Sequence, residues 1–249
     1  MRVLRIILFF PLALFRLIFI FIISFFTVCL GWLWLDVFGF SRKLQSVVMK
    51  VWGRSVLFIC GIIVTRNKIP ANGNFILMPN HRSYIDIFLV AAYTPSAFVA
   101  KAELTKWPFL GTGAKLTNTI FVNRSEITSL VSTMNKIKSS VQNNIPVAVF
   151  PEGTTSRGPL TRPFKKGSFK IAADANIPVI PVAIHYKDKN DAWVDDDTFV
   201  GHFLKQMTRP VTKVSVCYGS PLYYSNQNIL LQETRQQIDS MLKILIAQD

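Results

Sequence analysis

The stretch Phe75-Ile76-Leu77-Met78-Pro79-Asn80-His81-Arg82-Ser83-Tyr84-Ile85-Asp86 decides the fold. Phe75 to Met78 is a short unbroken apolar run, the pattern of a strand buried on both faces. Pro79 and Asn80 end it, and an apolar helical run begins near Ile87. A buried strand that feeds a loop and then a helix is the unit of an α/β domain. Val147 to Phe150 and Val179 to Ile184 repeat the pattern, while Ala97 to Ala100, Thr119 to Val122 and Val214 to Tyr218 read as further strands. Glu126 to Gln142 carries Ile127, Leu130, Val131, Met134, Ile137 and Val141 at helical spacing, and Lys166 to Ala175 reads as a second helix. A last helix opens on Ser225 as N-cap and carries Ile229, Ile238, Met241, Leu242 and Leu245 on one face. The expectation is an α/β fold with a single mixed sheet covered by helices.

The apolar half of the composition is unevenly spread. From Ile6 to Leu35 the chain is apolar except for Arg16, and Leu17 to Leu35 carries no charge over about the length needed to span hydrocarbon. A cleaved signal peptide is the competing reading, but the run is too long for one and no small-residue cleavage site ends it. Pro11 and Arg16 interrupt the run, so a hairpin-like pair of helices lying partly in one leaflet stands beside a single tilted span. Basic residues flank it on both sides: Arg2 and Arg5 before, Arg42, Lys43, Lys50 and Arg54 after. By the positive-inside tendency both ends face the cytoplasm, and Trp32 and Trp34 mark a water interface. Residues 1–58 are therefore expected to be a hydrophobic anchor with a linking helix (Leu44 to Phe58), and residues 59–249 the catalytic domain. The protein is expected at a membrane, the inner membrane if bacterial, with that domain on the cytoplasmic face. A net charge of +14 asks for an anionic partner, and the hydrophobic start favours membrane lipids over nucleic acid. Cys29, Cys60 and Cys217 have no CxxC spacing, which suggests neither a disulfide framework nor a zinc site.

The loop after the first buried strand carries the strongest chemistry. A histidine five residues before an aspartate can be held by it in a tight turn, the carboxylate fixing the tautomer and supporting the imidazolium that forms on proton uptake. His81 and Asp86 are the expected catalytic pair, with Asn80, Arg82 and Ser83 beside them as substrate-binding candidates. A structural His–Asp pair is the ordinary alternative. Phe150-Pro151-Glu152-Gly153-Thr154-Thr155-Ser156-Arg157 follows a second buried strand, so both loops point at one sheet edge. Gly153, Thr154, Thr155 and Ser156 offer N–H groups and hydroxyls for a phosphate or headgroup, Arg157 adds a fixed charge, and Glu152 shapes the loop or helps bind the acceptor. An ordinary polar turn uses the same residue types. Arg124, ending Phe121-Val122-Asn123-Arg124, places a guanidinium where it could hold a phosphate. Arg162, Lys165, Lys166 and Lys170 form a basic face. His185 reads as structural or peripheral, with no carboxylate at short spacing in its loop.

In this order and separation the residues resemble the 1-acyl-sn-glycerol-3-phosphate acyltransferase family of glycerolipid acyltransferases, over roughly Val64 to Pro221. Asn80-His81 to Asp86 resembles its His-four-residues-Asp signature, Phe121 to Arg124 its phosphate-holding block, Phe150 to Arg157 its Glu-Gly-Thr block and Val179 to Ile184 its proline-centred apolar block. Lys101, in Phe98-Val99-Ala100-Lys101-Ala102-Glu103-Leu104, resembles an element between the first two. The resemblance implies transfer of a fatty acyl group from acyl-CoA or an acyl-acyl-carrier protein to a lysolipid hydroxyl. His81 would be the base and Asp86 its orienting partner, with no metal and no cofactor beyond that co-substrate. Oxyanion donors are expected near Gly153 or in the loop after Asn80. Thr155 stands where the family has arginine, which opens the acceptor to lysolipids other than lysophosphatidic acid, a lyso-ornithine lipid among them. Two other classes remain: a hydrolase with His81, Asp86 and Glu152 on a metal, and a membrane-anchored basic module binding nucleic acid or anionic lipid.

Overall fold

The computed structural model of the chain describes residues 2–69, 73–102, 110–123, 127–194 and 197–249. The three continuous apolar runs become β2 (Ile76–Pro79), β5 (Val147–Ala148) and β6 (Val179–Tyr186), neighbours at the centre of a sheet. With β1 (Ile62–Arg66), β3 (Ala97–Lys101), β4 (Ile120–Val122) and β7 (Thr212–Tyr218) the described strands form seven in the order β1-β7-β6-β2-β5-β3-β4. Only β6 and β7 run antiparallel, so the sheet is mixed, as expected. Ile76 faces Val147 on one side and Val179 on the other, and all three are wholly buried.

Helices cover both faces. They are α2 (Arg42–Ile59), α3 (Ile85–Tyr93), α4 (Leu110–Leu116), α5 (Ile127–Gln142), α6 (Gly167–Asp174), α7 (Phe199–Met207) and α8 (Gln227–Ala247). Successive residues of a strand point to opposite faces, and β2 feeds two cores accordingly. Leu77 packs with Ile85, Leu89, Ile184 and Met207, whereas Ile76 and Met78 pack with Phe169, Ile238 and Leu242. Five elements differ from the sequence reading. β1, α4 and α7 were not expected, and the last helix is capped one residue later, by Asn226, whose side chain accepts from Asn228 N and Ile229 N. β5 is shorter than Val147 to Phe150, although Val149 N still donates to Leu77 O at 2.9 Å.

The N-terminal α1 (Arg2–Phe38) is one continuous helix through Pro11 and Arg16, so the break that a hairpin within Ile6 to Leu35 requires is absent. Over Leu8–Phe38 it is long and apolar enough to cross a membrane. The hairpin lies elsewhere: α1 turns at Gly39 (φ +73°) into α2, and Trp52 Nε1 of α2 donates to Ser24 Oγ of α1 at 3.0 Å. Ser24 lies 15 residues before Gly39 and Trp52 13 after it, so the two helices fold back on each other. Arg16 is buried, its guanidinium donating to the carbonyls of Met207 (3.0 Å), Arg209 and Pro210 (3.0 Å) where α7 ends. A cation at a helix C-terminus meets carbonyls that have no helical partner.

Candidate active site

β2 and β5 end on one edge of the sheet, and the loops that follow them close on each other. Asn80 is wholly buried: Nδ2 donates to Ile184 O (3.0 Å), Oδ1 accepts from Ile184 N (2.7 Å), and its own N–H reaches Val182 O (3.2 Å). Its amide replaces a missing ladder partner and ties the start of the loop to β6. The next side chain, His81, places Nδ1 2.8 Å from Asp86 Oδ2. Asp86 stands in the first turn of α3 with no exposure. Its Oδ2 also accepts the N–H groups of Arg82 (2.7 Å) and Ser83 (3.0 Å), and Oδ1 accepts the Tyr186 hydroxyl (2.7 Å). A buried carboxylate is costly without such compensation, and four donors supply it. With Nδ1–H directed at Asp86, the neutral ring keeps a lone pair on Nε2. The His81 side chain is 18% exposed, and among the described residues nothing is paired with Nε2.

The second loop grips His81 from the other side. The Phe150 ring stacks on the imidazole at 4.0 Å and 23°. Glu152 Oε1 accepts His81 N at 2.8 Å, and Ser156 N donates to His81 O at 2.9 Å. Glu152 Oε2 takes Arg162 N (2.8 Å) and Ser156 Oγ (3.2 Å). Arg82 turns inward, donating to Ser156 Oγ and O and to Pro159 O (2.9 Å). Burial pulls its guanidinium below the usual range, opposed by Glu152, Asp86 and Asp239. Gly158 at φ +87° leaves the room this needs, since a Cβ there would lie 3.1 Å from Arg82 Cζ.

Asn80, Arg82, Ser83 and Ser156 are buried, and their hydrogen bonds to other residues of the two loops and of β6 hold the loops in shape. Thr154 and Arg157 are exposed, and Gly153 (φ +71°) and Thr155 are half-buried beside them. The N–H groups of Gly153, Arg82 and Ser83 donate to Phe150 O and Asp86, while among the described residues those of Thr154 and Thr155, like those of Glu152, Arg157 and Gly158, have no hydrogen-bond partner. Lys101 ends β3 opposite Val122, its side chain outside the described residues, as is the whole of Arg124. Both Glu152 oxygens are directed at loop donors, and among the described residues no three His, Cys, Asp or Glu side chains group to hold a metal. His185 pairs with a carboxylate after all, Asp249 at the end of the chain (2.6 Å), away from this loop pair. Tyr186, the Phe150 stack and Lys165, whose side chain lies over Gly153, escape a sequence reading. Their partners are distant in the chain, and no spacing signals them.

Residues 61–185 match the family model described as Acyltransferase. The chain is 35% identical over 139 residues to the 1-acyl-sn-glycerol-3-phosphate acyltransferase of Neisseria meningitidis serogroup B, an alignment over 55% of this chain and 54% of that protein. It spans about half the length of the first such relatives it matches. A longer alignment, over 84% of this chain and 78% of the other, joins it at 27% identity to the lyso-ornithine lipid O-acyltransferase of Rhizobium meliloti. Among solved structures, the 1-acyl-sn-glycerophosphate (LPA) acyltransferase PlsC from Thermotoga maritima superposes with a TM-score of 0.75 at 25% identity, over 98% of both chains.

Proposed function

The chain belongs to the Acyltransferase family, and from that premise we propose that it moves a fatty acyl group from a thioester to the free hydroxyl of 1-acyl-sn-glycerol-3-phosphate, giving phosphatidic acid. The observation that carries the reading is His81, its Nδ1 held by Asp86 and its Nε2 turned outward at the sheet edge. In the reaction His81 Nε2 takes the hydroxyl proton as the oxygen attacks the thioester carbonyl. The tetrahedral oxyanion collapses, the C–S bond breaks, and the imidazolium returns the proton to the leaving thiolate. Asp86 supports the imidazolium throughout. Thr154 N and Thr155 N are the proposed oxyanion donors. No step calls for a metal or a cofactor beyond acyl-CoA or an acyl-acyl-carrier protein as donor. A cavity of about 270 Å3 between α1, α2, α3 and β3, lined by Val28, Trp52, Ile87, Phe98, Leu116 and Phe121, has the apolar character an acyl chain seeks.

The boundary proposed between the anchor, residues 1–58, and the catalytic domain, residues 59–249, is supported by the end of α2 at Ile59. The proposed location is a membrane surface with the catalytic domain on the cytoplasmic side, supported by the basic residues Arg42, Lys43, Lys50 and Arg54 after α1. A second acceptor, a lyso-ornithine lipid, is favoured by Thr155 and by the longer alignment with enzymes of that name.

The test is transfer from labelled acyl-CoA and acyl-acyl-carrier protein to a panel of lysolipids, in detergent or bilayers, comparing wild type with His81→Ala. A folded His81→Ala protein is expected to lose turnover by 1,000-fold or more, on the order seen when a general base is removed. Near-normal turnover sinks the mechanism, and the acceptor that is acylated decides between the two lysolipids.

A further inference from the structure

Besides the grip of the second loop on His81, the His81–Asp86 pair has two braces from β6. Asn80 is clamped on the backbone of Ile184, which fixes where the His81 loop leaves the sheet. Two residues further along the same strand Tyr186 reaches Asp86 Oδ1 at 2.7 Å. The other oxygen, Oδ2, already serves His81, Arg82 N and Ser83 N. Among the described residues the Tyr186 hydroxyl is the one donor to Oδ1. Without it the carboxylate keeps donors on one oxygen only and can turn about its Cβ–Cγ bond, carrying Oδ2 away from Nδ1.

We propose that Tyr186 is a positioning residue for acyl transfer: its hydroxyl holds the Asp86 carboxylate in the plane that serves His81 and shares the negative charge that stabilises the imidazolium. The inference rests on His81 being the base. Its phenol suits the task because burial, and then the neighbouring carboxylate of Asp86, push its ionisation well above the ordinary tyrosine range, so it stays a neutral donor wherever the enzyme works. The charged and titratable groups around the two are few. Besides His81 they are the Arg82 guanidinium, Glu152, Tyr84 and Asp191, the last ion-paired to Arg209 at 2.8 Å. Of these side chains only His81 is hydrogen-bonded to an Asp86 oxygen among the described residues.

A donor on the carboxylate spreads its charge, and removing it strengthens the hold of Asp86 on an imidazolium formed at His81. The imidazole then becomes free to act as a base only at higher pH. Tyr186→Phe keeps the ring and removes the hydroxyl alone. Its kcat is expected to fall by about 10- to 100-fold, the usual cost of losing a partner that orients a working ligand. KM for both substrates is expected to stay within about twofold of wild type, since only the transition state loses an interaction. The acid limb of the kcat/KM profile moves to higher pH. In an Asp86→Asn background the same substitution is expected to cost little more, because a residue that acts through Asp86 has nothing left to act on.

Tyr186 is fully buried, so the Phe protein could be lost to misfolding. Site-specific 3-fluorotyrosine at 186 covers that case: its shape is almost unchanged and its hydroxyl is a stronger donor, so the acid limb moves to lower pH. A folded Phe variant with wild-type kcat and limb overturns the proposal. So does a loss of kcat with the limb fixed in both proteins, or an equal loss with and without Asp86. Activity in His81→Ala would instead overturn the underlying reading of the base, so the two failures are separable.

Discussion

Lys165 shows how much of a site is set by a residue that is not there. Gly153 has φ +71°, and a Cβ at that position would lie 2.8 Å from both Cε and Nζ of Lys165. Only glycine at 153 leaves the lysine its place over the loop that holds His81. The nearby carboxylate of Glu152 is spent on three donors, and no salt bridge to Lys165 occurs among the described residues. An uncompensated ammonium beside Thr154 and Thr155 suits a phosphate oxygen, and Thr155 offers no charge of its own. Lys165→Ala is expected to raise KM for 1-acyl-sn-glycerol-3-phosphate about tenfold, as befits one charged hydrogen bond, while leaving a phosphate-free lysolipid unaffected. Initial rates with the two acceptors check it, and equal effects on both exclude a phosphate contact. Sequence spacing made His81 and Asp86 legible because their partnership is local, five residues within one turn. It does not tell that Asn80, Arg82, Ser83 and Ser156 are buried, because a loop's inward and outward faces have no periodicity. Only the packing of one loop on the other buries them.

At the scale of elements, the close approach of α2 and α3 depends on Gly53. A Cβ there would meet backbone only: Ala92 N at 2.7 Å, Phe88 O at 2.9 Å and the Ala91 carbonyl carbon at 3.1 Å. Alanine is the better helix former by about 1 kcal/mol, but here it drives apart two helices, one of which carries Asp86 in its first turn. Gly53→Ala is expected to destabilise the protein by about 1–3 kcal/mol, the range for overpacking, and to lower kcat as α3 shifts. Gly113→Ala is the control. Its added methyl would find Val28 Cγ2 at 3.9 Å, an ordinary contact, so stability holds or rises. Thermal unfolding of both variants in detergent separates the two outcomes. Central strands were legible at this scale because burial on both faces leaves uninterrupted apolar runs. β1 was not, since as an edge strand it exposes Ile63, Thr65 and Arg66 and shows no such run. α4 and α7 are short, at seven and nine residues, and each is broken by glycine, too little chain for a period of 3.6 to register.

For the whole molecule, the question left open by hydropathy is whether α1 crosses the membrane or lies in it. The answer rests on contacts at two points along the helix. Arg16 is hydrogen-bonded to the carbonyls after α7, and Gly31 packs directly against Leu116 of α4. Fifteen residues of helix separate them, about 22 Å at 1.5 Å per residue, and both ends of that length rest on the catalytic domain. A helix held along the domain over such a distance is expected to lie beside it in one leaflet rather than to cross the bilayer. Its free side exposes Phe15, Phe19, Phe25, Phe26, Leu33 and Trp34, and Val47 and Val51 of α2 are exposed as well. That band suits partial immersion in one leaflet, with +14 of net charge drawing the domain to anionic headgroups. Composition cannot reveal this arrangement, because a spanning helix and an in-plane helix with one docked side share the same mean hydropathy. An N-terminal epitope tag is therefore expected on the same side of the bilayer as the catalytic domain. In sealed inverted vesicles, protease should remove the tag and cut the domain together. In right-side-out vesicles it should touch neither. A tag cleaved only from the opposite side would show that α1 spans, and the contacts of Arg16 and Gly31 would then have to break in the membrane.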